Sequence, residues 1–384
     1  MNNNFSKPIS NNSGYSVMKP VLKVVGMGGG GSNAINRMIE LGLKGVDFIA
    51  VNTDVQALKS SLAPTKIQIG PLLTRGLGAG GNPQVGFDAA KESIDDLAYV
   101  LQGADMVFLT AGMGGGTGTG SIAIAAQAAR KVGAVTVAIV TTPFSFEMGR
   151  RQRNAQEGLS RLRQQVDTLI AIPNDQLLKV APRNLPLDMA FRLADDVLRQ
   201  GIQGISELIN QTGYINIDFS HIRNLMKAGG GSLLSIGIGK GKDKAKQAIH
   251  NALNHPLLES VNIQNASGII ANFTAGDDLE FHEVTEALTQ LGEQTNSNAD
   301  IIPGLIVNPK LVDRCEVILV ITGLGATPLD TDTSTLTQSQ HRASYPTYTA
   351  QHAFTRQAIK EPEEAIVGEE NLDIPAFLRK RRFQ

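Results

Sequence analysis

The sequence has no tryptophan and a single cysteine, Cys315, so no disulfide can form within the chain. That cysteine sits in an apolar stretch, CEVILVI, and reads as a small buried hydrophobe rather than a reactive thiol. A run of about eighteen apolar residues is missing, and so is a signal peptide. The expectation is a cytoplasmic protein without direct membrane insertion. Six histidines form no ligand-spaced cluster, so no metal site is expected from side chains. Neither charge sign dominates: 35 Lys and Arg stand against 36 Asp and Glu, a formal net charge of −1, which gives no electrostatic case for nucleic acid. The Gly-Lys-Ser/Thr ending of a P-loop occurs nowhere.

Glycine is present in quantity, 40 residues among 384, and the chain is organised around residues 105–130, DMVFLTAGMGGGTGTGSIAIAAQAAR. The pattern predicts a buried strand over 106–110, a loop with six glycines, and a helix of small residues from about Ser121. Gly114, Gly115, Gly116, Gly118 and Gly120 give up much backbone entropy, which makes sense where bare N–H groups are required. A strand, a glycine loop and a helix N-terminus together present such groups to an anion, and the hydroxyls of Thr117 and Thr119 add donors. This predicts a polyphosphate cradle.

Two more glycine-rich stretches come earlier. From Pro20 a strand runs into Gly26, Gly28, Gly29, Gly30 and Gly31, then a helix carrying Ile35, Met38 and Ile39. Gly26, Gly28 and Gly31 satisfy GxGxxG and a strand ending at Asp54 follows, which alone outlines the dinucleotide site of an NAD enzyme. The third stretch, GLGAGGNP at 76–83, opens a helix predicted over 84–101. Three glycine loops at strand ends converge on one crevice of a parallel sheet, and one phosphate chain can use all three.

GGGTGTG, set within TAGMGGGTGTGS, resembles the signature of the tubulin/FtsZ family of GTPases, and of its bacterial cell-division members in particular. The resemblance spans about residues 20–325 and the last fourteen. It implies GTP or GDP as ligand, with Mg2+ held by phosphate oxygens and water. It further implies that Gly28, Gly29, Gly30, Gly31, Ser32 and Asn33 approach the nucleotide, that Ala79, Gly80 and Gly81 lie near its terminal phosphate, and that residues 114–120 cradle the rest. Glu147 and Arg151 are i,i+4 and by spacing alone form a surface ion pair; the resemblance has them contact ribose and guanine. Asn174, closing the strand VDTLIAIPND, matches a further nucleotide contact.

The longest helical signal runs over 184–213, with Leu187, Ala190, Ala194, Val197, Leu198, Ile205 and Leu208 at helical spacing, Pro186 in its first turn and Gly213 as its stop. A helix of about two dozen residues spans ~36 Å and can join two domains as a strut. Phe191 and Asp195 near its start read by themselves as core packing and a solvated acid. By resemblance the ring packs on guanine and the carboxylate accepts from the guanine N1 and N2 hydrogens, a donor pair that adenine lacks.

GYINIDFSHIRNLMKAGG follows, placing Asn216, Asp218 and His221 where the family carries its catalytic Asn-x-Asp-x-x-Asp. By itself Asp218 reads as the cap of a helix starting at Phe219. By resemblance this loop enters the nucleotide site of the next subunit and positions the attacking water. The second acid is replaced by His221, which accepts a hydrogen bond from water only while neutral. Slower hydrolysis than is usual for the family is therefore expected.

The chain then alternates strand and helix to about residue 325, giving the fold class: α/β, with a Rossmann-like parallel-sheet GTPase domain, a long central helix, a smaller α/β domain with a mixed sheet, and disordered tails. The expected divisions are a tail at 1–19, a GTP-binding domain at 20–185, the central helix at 186–213, an assembly domain at 214–325, a polar linker at 326–370 and a peptide at 371–384. In that peptide Asp373, Ile374, Pro375, Phe377 and Leu378 precede Arg379, Lys380, Arg381 and Arg382, a short amphipathic docking segment. By resemblance, residues 373–382 bind adaptor proteins that tether filaments to the membrane, and the protein is its own partner in a head-to-tail polymer at a mid-cell division ring.

Overall fold

The computed structural model describes residues 19–147, 149–180, 184–210, 218–227, 231–256, 262–295 and 299–324. Asn216, the helix stop at Gly213, the linker, the 371–384 peptide and nearly all of the N-terminal tail lie outside the described residues.

In chain order the first half comprises β1 (Leu22–Met27), α1 (Gly28–Glu40), β2 (Asp47–Asn52), α2 (Val55–Ser60), β3 (Thr65–Gln68), α3 (Pro71–Thr74), α4 (Pro83–Glu92), α5 (Ile94–Leu101), β4 (Met106–Gly112), α6 (Thr117–Lys131), β5 (Val135–Thr142), α7 (Gly149–Arg163), β6 (Thr168–Pro173) and α8 (Asn174–Val180). Then come α9 (Leu187–Asn210), α10 (Phe219–Lys227), β7 (Gly231–Lys240), α11 (Lys244–Leu253), β8 (Gly268–Ala275), α12 (Phe281–Gln294), β9 (Asp300–Val307) and β10 (Arg314–Thr322).

All ten strands form one sheet in the order β3-β2-β1-β4-β5-β6-β7-β10-β8-β9. The first six are parallel, in the doubly wound order that reverses direction between β1 and β4. β4 and β5 are buried along almost their whole length because helices cover both faces, which is why they read as unbroken apolar runs. β7 joins the halves. It pairs parallel with β6 at Leu169–Gly231 and Ile170–Ser232, then antiparallel with β10 from Leu233 to Lys240. Beyond it β10 and β8 are antiparallel and β9 is parallel to β8, a mixed sheet.

α9 is the 24-residue helix that the apolar spacing predicts, and it crosses one face of both halves. Ala194, Val197, Leu198, Ile202, Ile205 and Leu208 pack in a single apolar cluster with Ile139 of β5, Leu234 of β7 and Val320 of β10. Two glycines let it sit close to the sheet at the seam. A Cβ on Gly201 would meet Leu234 Cδ2 at 3.0 Å, and one on Gly204 would meet Ile318 Cδ1 at 2.8 Å. The Asn272 side-chain amide of β8 donates to the Gly204 carbonyl at 3.1 Å, fixing the helix to the second half.

Three local expectations change. α6 begins at Thr117 rather than near Ser121, so Gly118 and Gly120 belong to a helix, not a loop. The helix predicted over 84–101 is two helices broken at buried Ser93, whose hydroxyl accepts the Gly70 N–H at 3.1 Å and so ties the break to the loop after β3. Glu147 lies in a one-turn 3-10 segment, Ser145–Glu147, before α7 rather than on the same helix as Arg151.

Candidate functional site

The carboxyl ends of β1 and β4 flank the point where the strand order reverses, and both lead directly into helices with glycine first turns. The three glycine-rich segments touch there. A Cβ on Gly28 would lie 2.7 Å from the Gly118 nitrogen, and one on Gly30 would lie 3.0 Å from the Gly112 nitrogen. A Cβ on Gly116 would meet the Asn82 nitrogen at 2.8 Å, Ala79 Cβ at 2.9 Å and the Gly81 carbonyl carbon at 3.1 Å. No other residue type permits these backbone approaches, and Gly28 and Gly114 also hold φ values of 69° and 103°.

Two helix N-termini therefore open side by side. Neither α1 nor α6 has a side-chain cap or an acidic residue in its first turn, whereas neighbouring α2 and α4 are capped by Asp54 and Asn82. Uncapped N–H groups and two aligned dipoles make a site for negative charge. Gly29, Gly30, Asn33, Gly80 and Gly81 are exposed at this crevice, and Gly115 and Thr117 are half-buried. A Cβ at Gly29 or Gly115 would find nothing within 4 Å.

The remaining predicted residues of these segments serve packing. Gly31 is buried with Thr110 O 2.5 Å from where its Cβ would be, Gly118 fits against Met27 O, and Gly120 fits against Pro83 O. Gly120 N–H already bonds Gly116 O at 3.1 Å. Thr119 is buried, and its hydroxyl accepts the Gly114 N–H at 2.8 Å. Ala79 is buried against Gly116. Ser32 Oγ and Asn174 Oδ1 are buried without a protein hydrogen-bond partner, on the two helices that follow β1 and β6. A bound ligand or water would satisfy such atoms.

Two residues the sequence reading left out join the cradle. The Thr53 hydroxyl, fully buried at the end of β2, lies 2.6 Å from that of Thr117. The Asn154 side chain on α7 donates to Gly114 O at 3.1 Å and Gly81 O at 3.4 Å. Neither contact has a local sequence signal, because each spans tens of residues.

Further along the same edge, Phe144 follows β5 and its N–H bonds Glu147 Oε1 at 2.9 Å. Glu147 in turn pairs with Arg151, whose carbonyl would lie 2.9 Å from a Cβ on Gly114. Phe144 stacks on Phe146 with centroids 5.1 Å apart, and Phe191 meets it edge-on at 5.4 Å. Phe191 keeps an exposure of 39%, leaving part of the ring uncovered. One helical turn on, burial pushes the Asp195 carboxyl up to about 7, with the Arg37 guanidinium pulling the other way.

Asp218 and His221 stand elsewhere. Asp218 caps α10, accepting the Ser220 N–H at 2.8 Å, and that bond holds its carboxyl below the usual range. Both residues are exposed. α10 is anchored where β6 begins, with Thr168 Oγ1 donating to Met226 O at 2.6 Å, whereas the crevice lies where the parallel strands end. The end of α9 makes the same point: Asn210 donates to Gly45 O, just before β2 starts. A six-residue strand is ~20 Å long, so crevice and α10 occupy opposite edges of the sheet.

The GTPase-domain model of the Tubulin/FtsZ family matches residues 21–182, and the C-terminal-domain model of the FtsZ family matches residues 230–325. Among solved structures, a point mutant of FtsZ from M. jannaschii is 44% identical, with 80% of this chain and 92% of that one covered and a TM-score of 0.77. An empty FtsZ dimer of M. jannaschii is 45% identical over 80% and 89%, at a TM-score of 0.75. The GDP-bound CetZ1 monomer from Haloferax volcanii shares the fold at 19% identity over 82% and 98%, at a TM-score of 0.71.

The crevice geometry predicts a sharp contrast between adjacent glycines. Gly116→Ala should drive the 79–82 turn away and speed amide exchange at Asn82, whose N–H bonds Ala79 O, while Gly115→Ala should leave that exchange unchanged. Hydrogen-exchange mass spectrometry of the two variants checks this.

Proposed function

The chain belongs to the tubulin/FtsZ family of GTPases, and on that premise we propose that it is a self-assembling GTPase whose head-to-tail filaments complete each active site between neighbouring subunits. The observation that carries this reading is the separation just described. The polyphosphate crevice and the Asp218–His221 end of α10 lie on opposite edges of one sheet, so within one subunit they cannot act on the same bond. Stacking one subunit on the next brings the two edges together, and such a heterologous contact propagates into a filament. Leu72, Leu73 and Leu77 beside the third glycine segment support an interface there: Leu72 is 85% and Leu77 84% exposed, apolar surface that a neighbouring subunit would cover.

GTP fits the crevice on several counts. Uncapped helix ends and Gly115 suit the phosphates; the ring of Phe191 offers a face to a base; Glu147 and Arg151 border the sugar. Asn33 and Asn174 add polar contacts, and Asp195, when ionised, accepts from guanine N1 and N2. Mg2+ would enter with the nucleotide, held by its phosphate oxygens and water. In hydrolysis the water oxygen bonds to the γ-phosphorus, the bond to the β,γ-bridging oxygen breaks, and GDP and phosphate leave. Asp218, with Asn216 from the residues outside the described set, orients that water; positioning of this kind is most of what phosphoryl transfer requires. We retain 20–185 as the GTP-binding domain and 214–325 as the assembly domain, a division the two family matches support. Division-ring localisation and adaptor binding by residues 373–382 extend the same reading to the cell.

His221 favours a second reading, a GTP-binding filament protein with impaired hydrolysis. His221→Asp separates the two, since a large rise in turnover means the wild-type residue limits the chemistry.

The raised Asp195 carboxyl sets a pH dependence. Its proton must leave before the carboxylate accepts from guanine, so affinity is full above about pH 7 and falls below it. The GDP dissociation constant should rise about tenfold from pH 7.5 to 6, beyond any change shown by Asp195→Asn. In the free protein the sign is opposite: a carboxyl raised above its ordinary value favours folding at low pH, and that contribution is lost as pH climbs toward 7. Isothermal titration and thermal unfolding read the two effects.

The shared site itself is tested by mixing. Asp218→Ala keeps an intact crevice, and a Thr117→Ala, Asp195→Ala double variant keeps an intact α10 edge. Each alone should release little phosphate from GTP. Their mixture should recover a substantial part of the wild-type rate, whereas a mixture no better than its parts would defeat the shared-site proposal.

A further inference from the structure

Asn154 ties two of the glycine segments together from a helix that carries neither. Its side-chain nitrogen lies 3.1 Å from Gly114 O and 3.4 Å from Gly81 O. Two carbonyl acceptors require the amide NH2 at that position, so both of its hydrogens are used and the amide can face only one way. Gly114 is held on its other side as well, its N–H donating to the Thr119 hydroxyl at 2.8 Å and its φ at 103°.

In a planar trans peptide the carbonyl and the following N–H point in opposite directions. With the Gly114 carbonyl drawn toward α7, the Gly115 N–H faces away from α7, and the space around Gly115 is open, since a Cβ there would meet nothing within 4 Å. The second bond, to Gly81 O, draws the 79–82 turn onto Gly116, where Ala79 and Gly81 already stand in close contact. One side chain thereby sets the direction of a donor in the second glycine segment and the closure of the third against it.

We propose that Asn154 is a positioning residue for the polyphosphate: it aims the Gly115 N–H into the crevice and holds the 79–82 turn against Gly116. The proposal rests on the reading of the crevice as a guanine-nucleotide site. Its role is distinct from those of Glu147, Arg151, Phe191 and Asp195, which face sugar and base.

Asn154→Asp preserves shape but sets an acceptor against two carbonyls, and Asn154→Ala removes the donor without adding charge. In nucleotide-free protein both should speed amide exchange at Gly114, whose N–H bonds the Thr119 hydroxyl, and at Asn82, whose N–H bonds Ala79 O, an effect that repulsion of a bound anion cannot produce. Both should weaken GDP and GTP binding about tenfold or more, the consequence of a lost hydrogen bond that leaves carbonyls unpaired. Thermal midpoints near that of the wild type will show that the variants fold. If Asn154→Ala folds, exchanges and binds like the wild type, the proposal is overturned. Global unfolding of both variants overturns it too, because Asn154 is then a stability residue. Failure of the wild type itself to bind GDP instead refutes the guanine-nucleotide reading, an outcome separable from either.

Discussion

The backbone-to-backbone approach of α1 and α6 is the constraint on which the rest of the structure depends. With Gly28 against Gly118 and Gly30 against Gly112, two strands on either side of the reversal point can send their helices to opposite faces while both N-termini still open at one place. Any Cβ at these contacts separates the two dipoles and dissolves the site. The same steric logic reaches the third segment through Gly116, and the packing glycines Gly31, Gly118 and Gly120 bring the helix bodies close enough to hold the arrangement. Much of the glycine content thus provides clearance, while Gly29, Gly30, Gly80 and Gly81 stay exposed at the crevice.

A second constraint separates that crevice from the Asp218–His221 end of α10. β7 makes the two halves one sheet, and α9, packed across the seam through Gly201 and Gly204, fixes their spacing. α9 starts beside the aromatic group at the crevice edge and finishes beside the start of β2, which carries the chain to the far edge before α10 begins. A rigid ~36 Å helix keeps Asp218 away from the crevice of its own subunit. Under the proposed shared site, dependence of chemistry on assembly would come from this geometry alone, without a moving part.

The doubly wound half was legible in the sequence because its signals are local: continuous apolar strands such as β4 and β5, glycine runs at their ends, and helical spacing along α9. The resemblance of GGGTGTG to the family signature was equally local. What escaped was long-range. Thr53 meets Thr117, Asn154 reaches Gly81 and Gly114, and Ser93 breaks a helix by bonding Gly70; each depends on side chains brought together by the finished fold. The start of α6 was misplaced because glycine has low helix propensity, and tertiary packing against Met27 O and Pro83 O overrides it. The inward turn of Thr119 belongs to the same class.

The measurement closest to the central claim is phosphate release from GTP with magnesium over a range of protein concentrations, with sedimentation of polymer alongside. A site completed by a neighbour predicts almost no release below a threshold concentration, then a rate that climbs as polymer appears. Release proportional to protein from the lowest concentration, with nothing sedimenting, would mean that one subunit holds a complete active site and would contradict the account.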